Sequence, residues 1–227
     1  MSDLEFTPFL LSFKLAAITT LVLFVLSIPL AWWLSQTKNK SKPFFEALTA
    51  LPIVLPPSVI GFYVLIVLSQ NSPIGTFFDN VFGIKLVFSF SGLVVASCFY
   101  SLPFMVQPLQ SGFESLNKSM IEASYISGKN TFETLFYVAL PNIKPAVLSA
   151  IIVTFAHTVG EFGVVLMVGG SIPNETKVAS VAIYEMVEIM DYSSAHIYSL
   201  IMLVLSFIVL LGVYIFNQKY KTRFSKI

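Results

Sequence analysis

Charged residues are scarce in this chain of 227 amino acids. Asp, Glu, Lys and Arg make up 11% of the sequence, whereas they make up roughly a quarter of an average soluble domain. Hydrophobic residues supply 56% of the chain, and 22 residues are Phe. This composition excludes a soluble globular domain and predicts a chain that lies mainly within a lipid bilayer.

The sequence also has few residues in patterns typical of catalytic, metal-binding or nucleotide-binding sites. The single cysteine, Cys98, lies in an apolar run and is expected to be a small packing residue, so a disulfide or metal framework is excluded. No His/Cys cluster, no nucleophile beside a base and no G-x-x-x-x-G-K-[ST] loop occurs. We therefore expect a chain that is not an enzyme and binds no cofactor or metal. The net charge of +1 gives no reason to expect a nucleic-acid partner.

Long runs of apolar residues make up most of the sequence. They are continuous rather than alternating, and most reach the ~18 to 20 residues that a helix needs to cross a bilayer. The acidic start of the chain is unlike the basic start of a signal peptide, so the first run is expected to be retained as a helix. We predict an all-α polytopic membrane protein with about five transmembrane helices, at residues 9–34, 44–68, 86–106, 145–168 and 196–216.

The segment 169–195 is too polar to span a bilayer, because it holds five charged side chains. Within it, residues 178–190 are expected to form a short helix that is either interfacial or re-entrant.

The basic residues predict an orientation, since Lys and Arg accumulate in short cytoplasmic connections. If residues 121–145 lie inside, so do ten of the 13 basic residues, and the outside keeps only Lys14, Lys85 and Lys177. The predicted topology has the N-terminus outside and the C-terminus inside. The inside residues are Lys38, Lys40, Lys42, Lys118, Lys129, Lys144, Lys219, Lys221, Arg223 and Lys226.

The stretch 121–145 is conspicuously polar and lies between the third and fourth runs. In so apolar a protein it must lie outside the bilayer, where its simplest role is to contact something soluble. Residues 122–127 are expected to form a short helix that Gly128 ends with positive φ. A second helix is expected to begin at Thr131 as N-cap and to end at Pro141. Its apolar face would hold Phe132, Leu135 and Phe136. The alternative is an amphipathic linker lying on the membrane surface.

The same stretch resembles the "EAA" loop of ABC importer permeases, whose pattern is E-A-A, three residues, G, nine residues and I-x-L-P. In this sequence Ser124 occupies the position of the second Ala of the pattern, and Val138 occupies the position of the Ile. The resemblance implies a cytoplasmic loop that docks into a cleft of a separate ATPase, and a type I ABC importer permease core. The residues that match or replace the pattern are Glu122, Ala123, Ser124, Gly128, Val138, Leu140 and Pro141.

Two further blocks resemble molybdate permeases of this family. One is Leu-Pro-Ile-Val-Leu-Pro-Pro-Ser-Val-Ile-Gly-Phe-Tyr-Val-Leu at 51–65, and the other is Gly-Glu-Phe-Gly at 160–163, continuing to Ile183-Tyr184. Sulfate permeases share the Gly-Glu-Phe-Gly block. Ser58, Val164 and Ser171 depart from the molybdate pattern, which leaves a sulfate or tungstate permease as the alternative.

The physical character of these blocks suggests a translocation path or gate. Pro52, Pro56 and Pro57 are expected to break the second span, which is tolerated only where the chain is buried or lines a water-filled path. Placing a carboxylate such as Glu161 inside a membrane costs free energy. Because the substrate is an anion, we expect Glu161 to support the structure of the gate rather than to contact the substrate. His157 is expected to hydrogen-bond between helices, and three glycines to permit close helix approach. The candidate residues are Pro56, Pro57, Gly61, His157, Gly160, Glu161, Phe162 and Gly163.

The resemblance also implies an assembly in the inner or plasma membrane of a prokaryote. It would contain a second copy of the chain, a pair of ATPases that bind ATP and Mg, and a periplasmic or lipid-anchored oxyanion-binding protein. The permease domain would cover residues 9–217, with the coupling loop at 112–145 and a cytoplasmic basic tail at 218–227. The alternative from another class is a secondary transporter or channel, although such transporters commonly show two related halves and no repeat is evident here.

Overall fold

A computed structural model describes residues 5–224 of the chain, and the side chains of residues 5–215. All regular secondary structure within that range is helical. The helices are α1 (Thr7–Gln36), α2 (Lys42–Val54), α3 (Pro57–Leu68), α4 (Pro73–Phe82), α5 (Phe90–Glu114), α6 (Lys118–Ile126), α7 (Thr131–Glu133), a π-helical segment (Thr134–Ala139), α8 (Leu140–Asn142), α9 (Lys144–Val159), α10 (Gly163–Gly169), α11 (Ala179–Glu188) and α12 (Tyr192–Phe224).

Three helices in the described range are long and apolar enough to cross a membrane, namely α1, α5 and the part of α12 up to Ile215. Two bent helix pairs raise the number to five if each pair is one span. The all-helical membrane fold is therefore confirmed, and the upper number agrees with the predicted five. Helices suit this setting because each satisfies its own backbone hydrogen bonds where water is absent.

The predicted second span, 44–68, is not one continuous helix. Helices α2 and α3 meet at 113°, because Leu55 and Pro56 are both extended, with ψ of 138°. A residue before proline is pushed out of the helical region, and here two prolines follow in succession. Pro52 does not contribute to the break, since it lies inside α2.

The predicted fourth span, 145–168, is likewise interrupted. Helix α9 ends at Val159, α10 begins at Gly163, and Phe162 between them has a non-helical φ of −128°. Gly160 has a poor helix propensity at the point where the first helix stops. The predicted short helix at 178–190 is present as α11, whereas the predicted tail is helical from residue 218 to 224 and lies outside the described residues beyond that.

The core forms where α1, α5 and α9 pack together. Trp32 of α1 meets Phe113 of α5 edge to face, with ring centroids 5.2 Å apart. Helices α5 and α9 approach so closely that a Cβ at Gly112 would lie 2.5 Å from the Cβ of Ala146. Helix α9 has 16 residues and is about 24 Å long at 1.5 Å per residue. The polar loop enters one end of α9, and the second helix break follows its other end.

Candidate functional site

The predicted turn at Gly128 is present in the polar loop. Helix α6 starts at Lys118, earlier than expected, because the side chain of Asn117 accepts from the backbone N–H of Ser119. Gly128 has φ of +82° and donates its N–H to the Tyr125 carbonyl at 2.9 Å. The N–H of Lys129 then reaches the Ser124 carbonyl at 3.2 Å. This hydrogen-bond pattern closes a helix with a left-handed residue, which glycine adopts without strain.

The second helix of the loop begins one residue earlier than predicted. Asn130, rather than Thr131, is its N-cap, because the Asn130 side chain accepts the backbone N–H of Glu133 at 2.9 Å. The Glu133 carboxylate accepts the backbone N–H of Asn130 at the same distance. This is a capping box, and Asn is among the best N-cap residues. The prediction of Thr131 was therefore wrong, although the Asn and the Glu three residues later were visible in the sequence.

Pro141 does not end this helix, contrary to the prediction. The backbone widens to a π-helix over Thr134–Ala139 and continues through α8 before the axis turns by 82° at Ile143. Proline has no N–H for the carbonyl four residues earlier and crowds it, and a π turn relieves that conflict. The carbonyl of Val138 accepts from the Asn142 side-chain amide at 2.6 Å.

Buried contacts fix the two halves of the loop to each other and to the bundle. The hydroxyls of Ser124 and Thr134 are 2.9 Å apart, and both residues are buried. The departure of Ser124 from the family pattern thus provides a hydrogen bond between α6 and the π-helical segment. Ile121 and Leu135 belong to the same hydrophobic core as Phe113 of α5. Displacement of the loop would therefore be transmitted to the bundle through packed side chains.

The outer side of the loop is polar with exposed apolar side chains. Among the pattern residues, Glu122, Ala123 and Pro141 are exposed, and Val138 and Leu140 are half-buried. Ile126, Phe132 and Tyr137 are 87%, 68% and 71% exposed. Of the predicted apolar face, Leu135 is buried, while Phe132 and Phe136 are exposed and contact each other at a tilted angle, with ring centroids 4.4 Å apart. Exposed apolar side chains grouped in this way are typical of a surface that a partner covers.

The two helix breaks lie against each other. A Cβ at Gly163, the first residue of α10, would lie 2.9 Å from the Cβ of Pro57, the first residue of α3. One at Gly61 would lie 2.7 Å from the Cβ of Met167 and 3.3 Å from the Cα of Val164. The predicted close approach therefore holds at Gly61 and Gly163. It does not hold at Gly160, where a Cβ would meet only carbonyl oxygens of α9 at 3.7 Å or more.

Glu161 occupies the second break and is 4% exposed. Neither carboxylate oxygen has a hydrogen-bond partner among the described residues. The hydroxyl of Ser97 on α5 lies near the carboxylate but does not meet it in hydrogen-bond geometry. The backbone carbonyl of Glu161 accepts from the Ser180 hydroxyl of α11 at 2.7 Å. An unpaired buried carboxyl is costly, so its retention favours a functional role.

His157 forms the interhelical hydrogen bond that was predicted. Its Nδ1 is 3.0 Å from the Ser101 hydroxyl of α5, which is also 3.0 Å from the Thr158 hydroxyl. The imidazole stacks on Phe104 with centroids 3.9 Å apart. Phe162 packs against Tyr184 of α11, with centroids 4.9 Å apart. Sequence reasoning missed Ser97, Ser101 and Ser180, because isolated serines in apolar helices carry no recognisable spacing.

Broken spans beside a structured polar loop are features of a transport protein, and comparison with known proteins decides the class. A family model described as "Binding-protein-dependent transport system inner membrane component" matches residues 16–222. The chain belongs to this family. Its inner-membrane location follows, and so does its class, the permease of a type I ABC importer.

Individual members of the family match nearly the whole chain. The molybdenum transport system permease protein ModB of Azotobacter vinelandii is 44% identical over 214 residues, which are 94% of this chain and 95% of the relative. A putative molybdenum transport system permease protein of Bacillus subtilis is 30% identical over 96% of this chain and 94% of its own. The sulfate transport system permease protein CysT of Synechocystis is 34% identical over 86% of this chain and 68% of its own.

Solved structures show the same fold at low sequence identity. One is a bacterial ABC transporter that imports the acidic polysaccharide alginate, with a TM-score of 0.78 and 15% identity over 96% of this chain and 80% of that one. Another is the MetNI methionine ABC transporter in inward-facing conformations, with a TM-score of 0.70 and 14% identity over 92% of each chain. The importer fold is thus retained although few residues are shared.

Proposed function

We propose that this permease imports molybdate across the inner membrane as one subunit of an ATP-driven transporter. The observation that carries the proposal is the likeness to permeases named for molybdenum transport, which extends over nearly the whole chain at 44% and 30% identity. The Leu-Pro-Pro and Gly-Phe-Tyr residues of 51–65, which resemble the molybdate permease pattern, support the same proposal. Sulfate is the second candidate, because a sulfate permease is 34% identical, and tungstate has similar oxyanion chemistry.

The energy would come from a separate ATPase that docks on the loop at 112–145. The exposed carboxylate of Glu122 and the exposed side chains of Ile126, Phe132 and Tyr137 support this role, since they form a polar and apolar surface at one end of the bundle. The ATPase, not this chain, would bind ATP and Mg. A surface linker on the membrane remains the competing role for the loop, and the variants proposed below distinguish the two.

Helix α9 supports a direct route from the ATPase to the path. The polar loop leads into α9 through the bend at Ile143. The Gly160–Phe162 break follows at the other end of the same helix. If the ATPase tilts the loop, α9 would therefore move the Gly160–Phe162 break. Glu161, which lies in this break beside α5 and α11, would move with it. Pro56, Pro57, Gly61 and Gly163 would form the wall that this movement shifts, and His157 would hold α9 to α5.

The path itself would lie between two copies of the chain. Homo-oligomers favour closed two-fold symmetry, and the described helices α1, α5 and α9 of one copy pack on a shared hydrophobic core. A periplasmic or lipid-anchored binding protein would deliver the oxyanion on the outer side. A complex of this kind is known for the alginate importer, solved with a substrate-bound periplasmic protein. Purified complex should contain two permease and two ATPase copies; an active complex with one permease copy would refute the dimer.

Uptake of radiolabelled molybdate in a strain lacking the permease gene tests this function. Expression of the chain should restore uptake, and unlabelled molybdate should compete at lower concentration than sulfate. Tungstate provides the third competitor. Stronger competition by sulfate would identify a sulfate permease instead. Uptake that persists after deletion of the partner ATPase gene would indicate a secondary transporter or channel.

A further inference from the structure

Helix α4 is a short element that the transport function leaves unexplained. It has ten residues and is about 15 Å long, half of the ~30 Å hydrocarbon core of a bilayer. Both ends are capped: the Ser72 hydroxyl accepts the Gly75 N–H at 2.9 Å, and Gly83 closes the helix with φ of +65°. It is therefore a complete helix that stays on one side of the membrane, between the end of α3 and the start of α5.

Close contacts fix how α4 is turned. Gly75 is buried against the end of α3, where a Cβ would lie 2.0 Å from the Ser69 carbonyl oxygen and 2.7 Å from that of Leu68. Phe78, one turn later on the same side, packs against the core that contains Leu68 and Leu86. Any larger residue at position 75 would push the helix away, so this side must face the protein.

The remaining surface of α4 divides into two faces. At 100° per residue, Ile74, Phe77 and Val81 share one face, and they are 46%, 54% and 57% exposed. The opposite face carries Thr76 and Asp79, and the exposed Asn80 lies at its border with Phe77. The described residues therefore leave the apolar face about half exposed, with Phe77 in contact with the rings of Phe78 and Phe82 on the same helix.

We propose that α4 lies flat in the membrane–water interface, with the apolar face formed by Ile74, Phe77 and Val81 inserted among the lipids. The occupant is lipid because α4 follows directly from α3, which is half of a candidate broken membrane span and exposes Phe62, Tyr63 and other apolar side chains. The two apolar surfaces are joined by a connection of four residues.

The charges of α4 bear on how it would bind the interface. Helix α4 contains no Lys or Arg, so its affinity for the interface comes from apolar burial rather than from attraction to anionic lipids. Its one acidic residue, Asp79, lies away from the apolar face. Lys85 is exposed just beyond the helix and can reach lipid phosphates. An anchor at this position would hold α3, and with it the Pro56–Pro57 break, at a constant depth.

Site-directed spin labelling tests the proposal. Cys98→Ala removes the native thiol, and a nitroxide is attached to Phe77→Cys or Val81→Cys, with Thr76→Cys and Asp79→Cys as matched positions on the opposite face. The complex with its ATPase is reconstituted in liposomes. Collisions with oxygen, which concentrates in lipid, should exceed collisions with a water-soluble nickel chelate at 77 and 81, and the order should reverse at 76 and 79.

Two results would overturn the proposal. Equal access of the nickel chelate to all four positions would show that the apolar face lies in water, where a soluble partner could dock. Exclusion of both reagents at 77 and 81 would show that protein, such as a second copy, covers the face. Ile74→Cys gives an independent reading of the same face if either label impairs uptake, and its collision order decides the question in the same way.

Discussion

The carboxyl group of Glu161 lies in an environment that is unfavourable for a polar or charged side chain. Its carboxylate is buried in the α9–α10 break, and neither oxygen has a hydrogen-bond partner among the described residues. A group selected for stability alone would be paired or apolar, because burial of an unpaired polar group destabilises the fold. Functional sites often retain such destabilising groups.

Glu161→Gln should therefore separate stability from transport. The side chain keeps its shape and loses no hydrogen bond, so the melting temperature of the purified complex should be unchanged or higher. Uptake should fall if the carboxyl acts in the gate. Thermal melting and molybdate uptake measure the two effects, with Glu188→Gln on the exposed end of α11 as control. A lower melting temperature with normal uptake would show that Glu161 serves structure only.

Substitution of Gly128 tests the importance of the turn in the polar loop at 121–145. Its φ of +82° is strained for a β-branched residue, and a Cβ there would meet nothing within 4 Å. Gly128→Val should thus cost about 1–3 kcal/mol through backbone strain alone. We expect normal amounts in the membrane but loss of ATPase co-purification and of uptake. Gly128→Asn should retain both, because Asn tolerates this backbone region; equal loss from Asn and Val would argue against the strain mechanism.

At the scale of elements, the sequence predicts structure well where the signal is local. Gly128 ends a helix as its position in the polar stretch indicated, and the Pro56–Pro57 pair breaks a span. The capping box at Asn130 and the capped ends of α4, Ser72 and Gly83, were equally local but were overlooked. These signals are short-range because caps and turns depend on neighbours within a few residues.

Other elements depend on contacts that sequence does not display. The break at Gly160–Phe162 lies within an apolar run that looks continuous, and it follows from packing of α10 on α3 through Gly61 and Gly163. The π-helical segment is held against α6 by the hydrogen bond between the Ser124 and Thr134 hydroxyls. Ser97 approaches Glu161 only because α5 packs beside the break. Tertiary arrangement determines all three.

Two glycine substitutions test whether α3 and α10 must pack closely. A methyl group at Gly61 would overlap Met167 and approach the Val164 backbone, whereas at Gly212 on α12 nothing lies within 4 Å. Gly61→Ala should destabilise the protein by roughly 1–3 kcal/mol through overpacking and reduce uptake. Gly212→Ala should be neutral or slightly stabilising, since Ala favours helices. Comparable melting temperatures for the two variants would show that the α3–α10 contact is loose.

At the scale of the whole molecule, the polar loop at 121–145 and the Gly160–Phe162 break lie at opposite ends of α9. This arrangement matches an importer only if the loop is cytoplasmic, as the distribution of Lys and Arg predicts. A reporter that is active only outside the cytoplasm should be active when fused after Asn71 or Asn174, and silent after Asn39, Lys129 or Lys226. Activity after Lys129 would contradict both the orientation and the docking role.

The central claim is that the 121–145 loop couples this permease to a separate ATPase, and Glu122→Lys tests it most directly. Glu122 is exposed on α6, so charge reversal should leave the membrane fold intact while opposing the partner surface, where misplaced charge can cost several kcal/mol. Molybdate uptake and ATPase co-purification are measured together, with Glu188→Lys as the control. We predict normal membrane levels, no bound ATPase and no uptake for Glu122→Lys, and wild-type behaviour for Glu188→Lys. Wild-type uptake from Glu122→Lys would contradict the account.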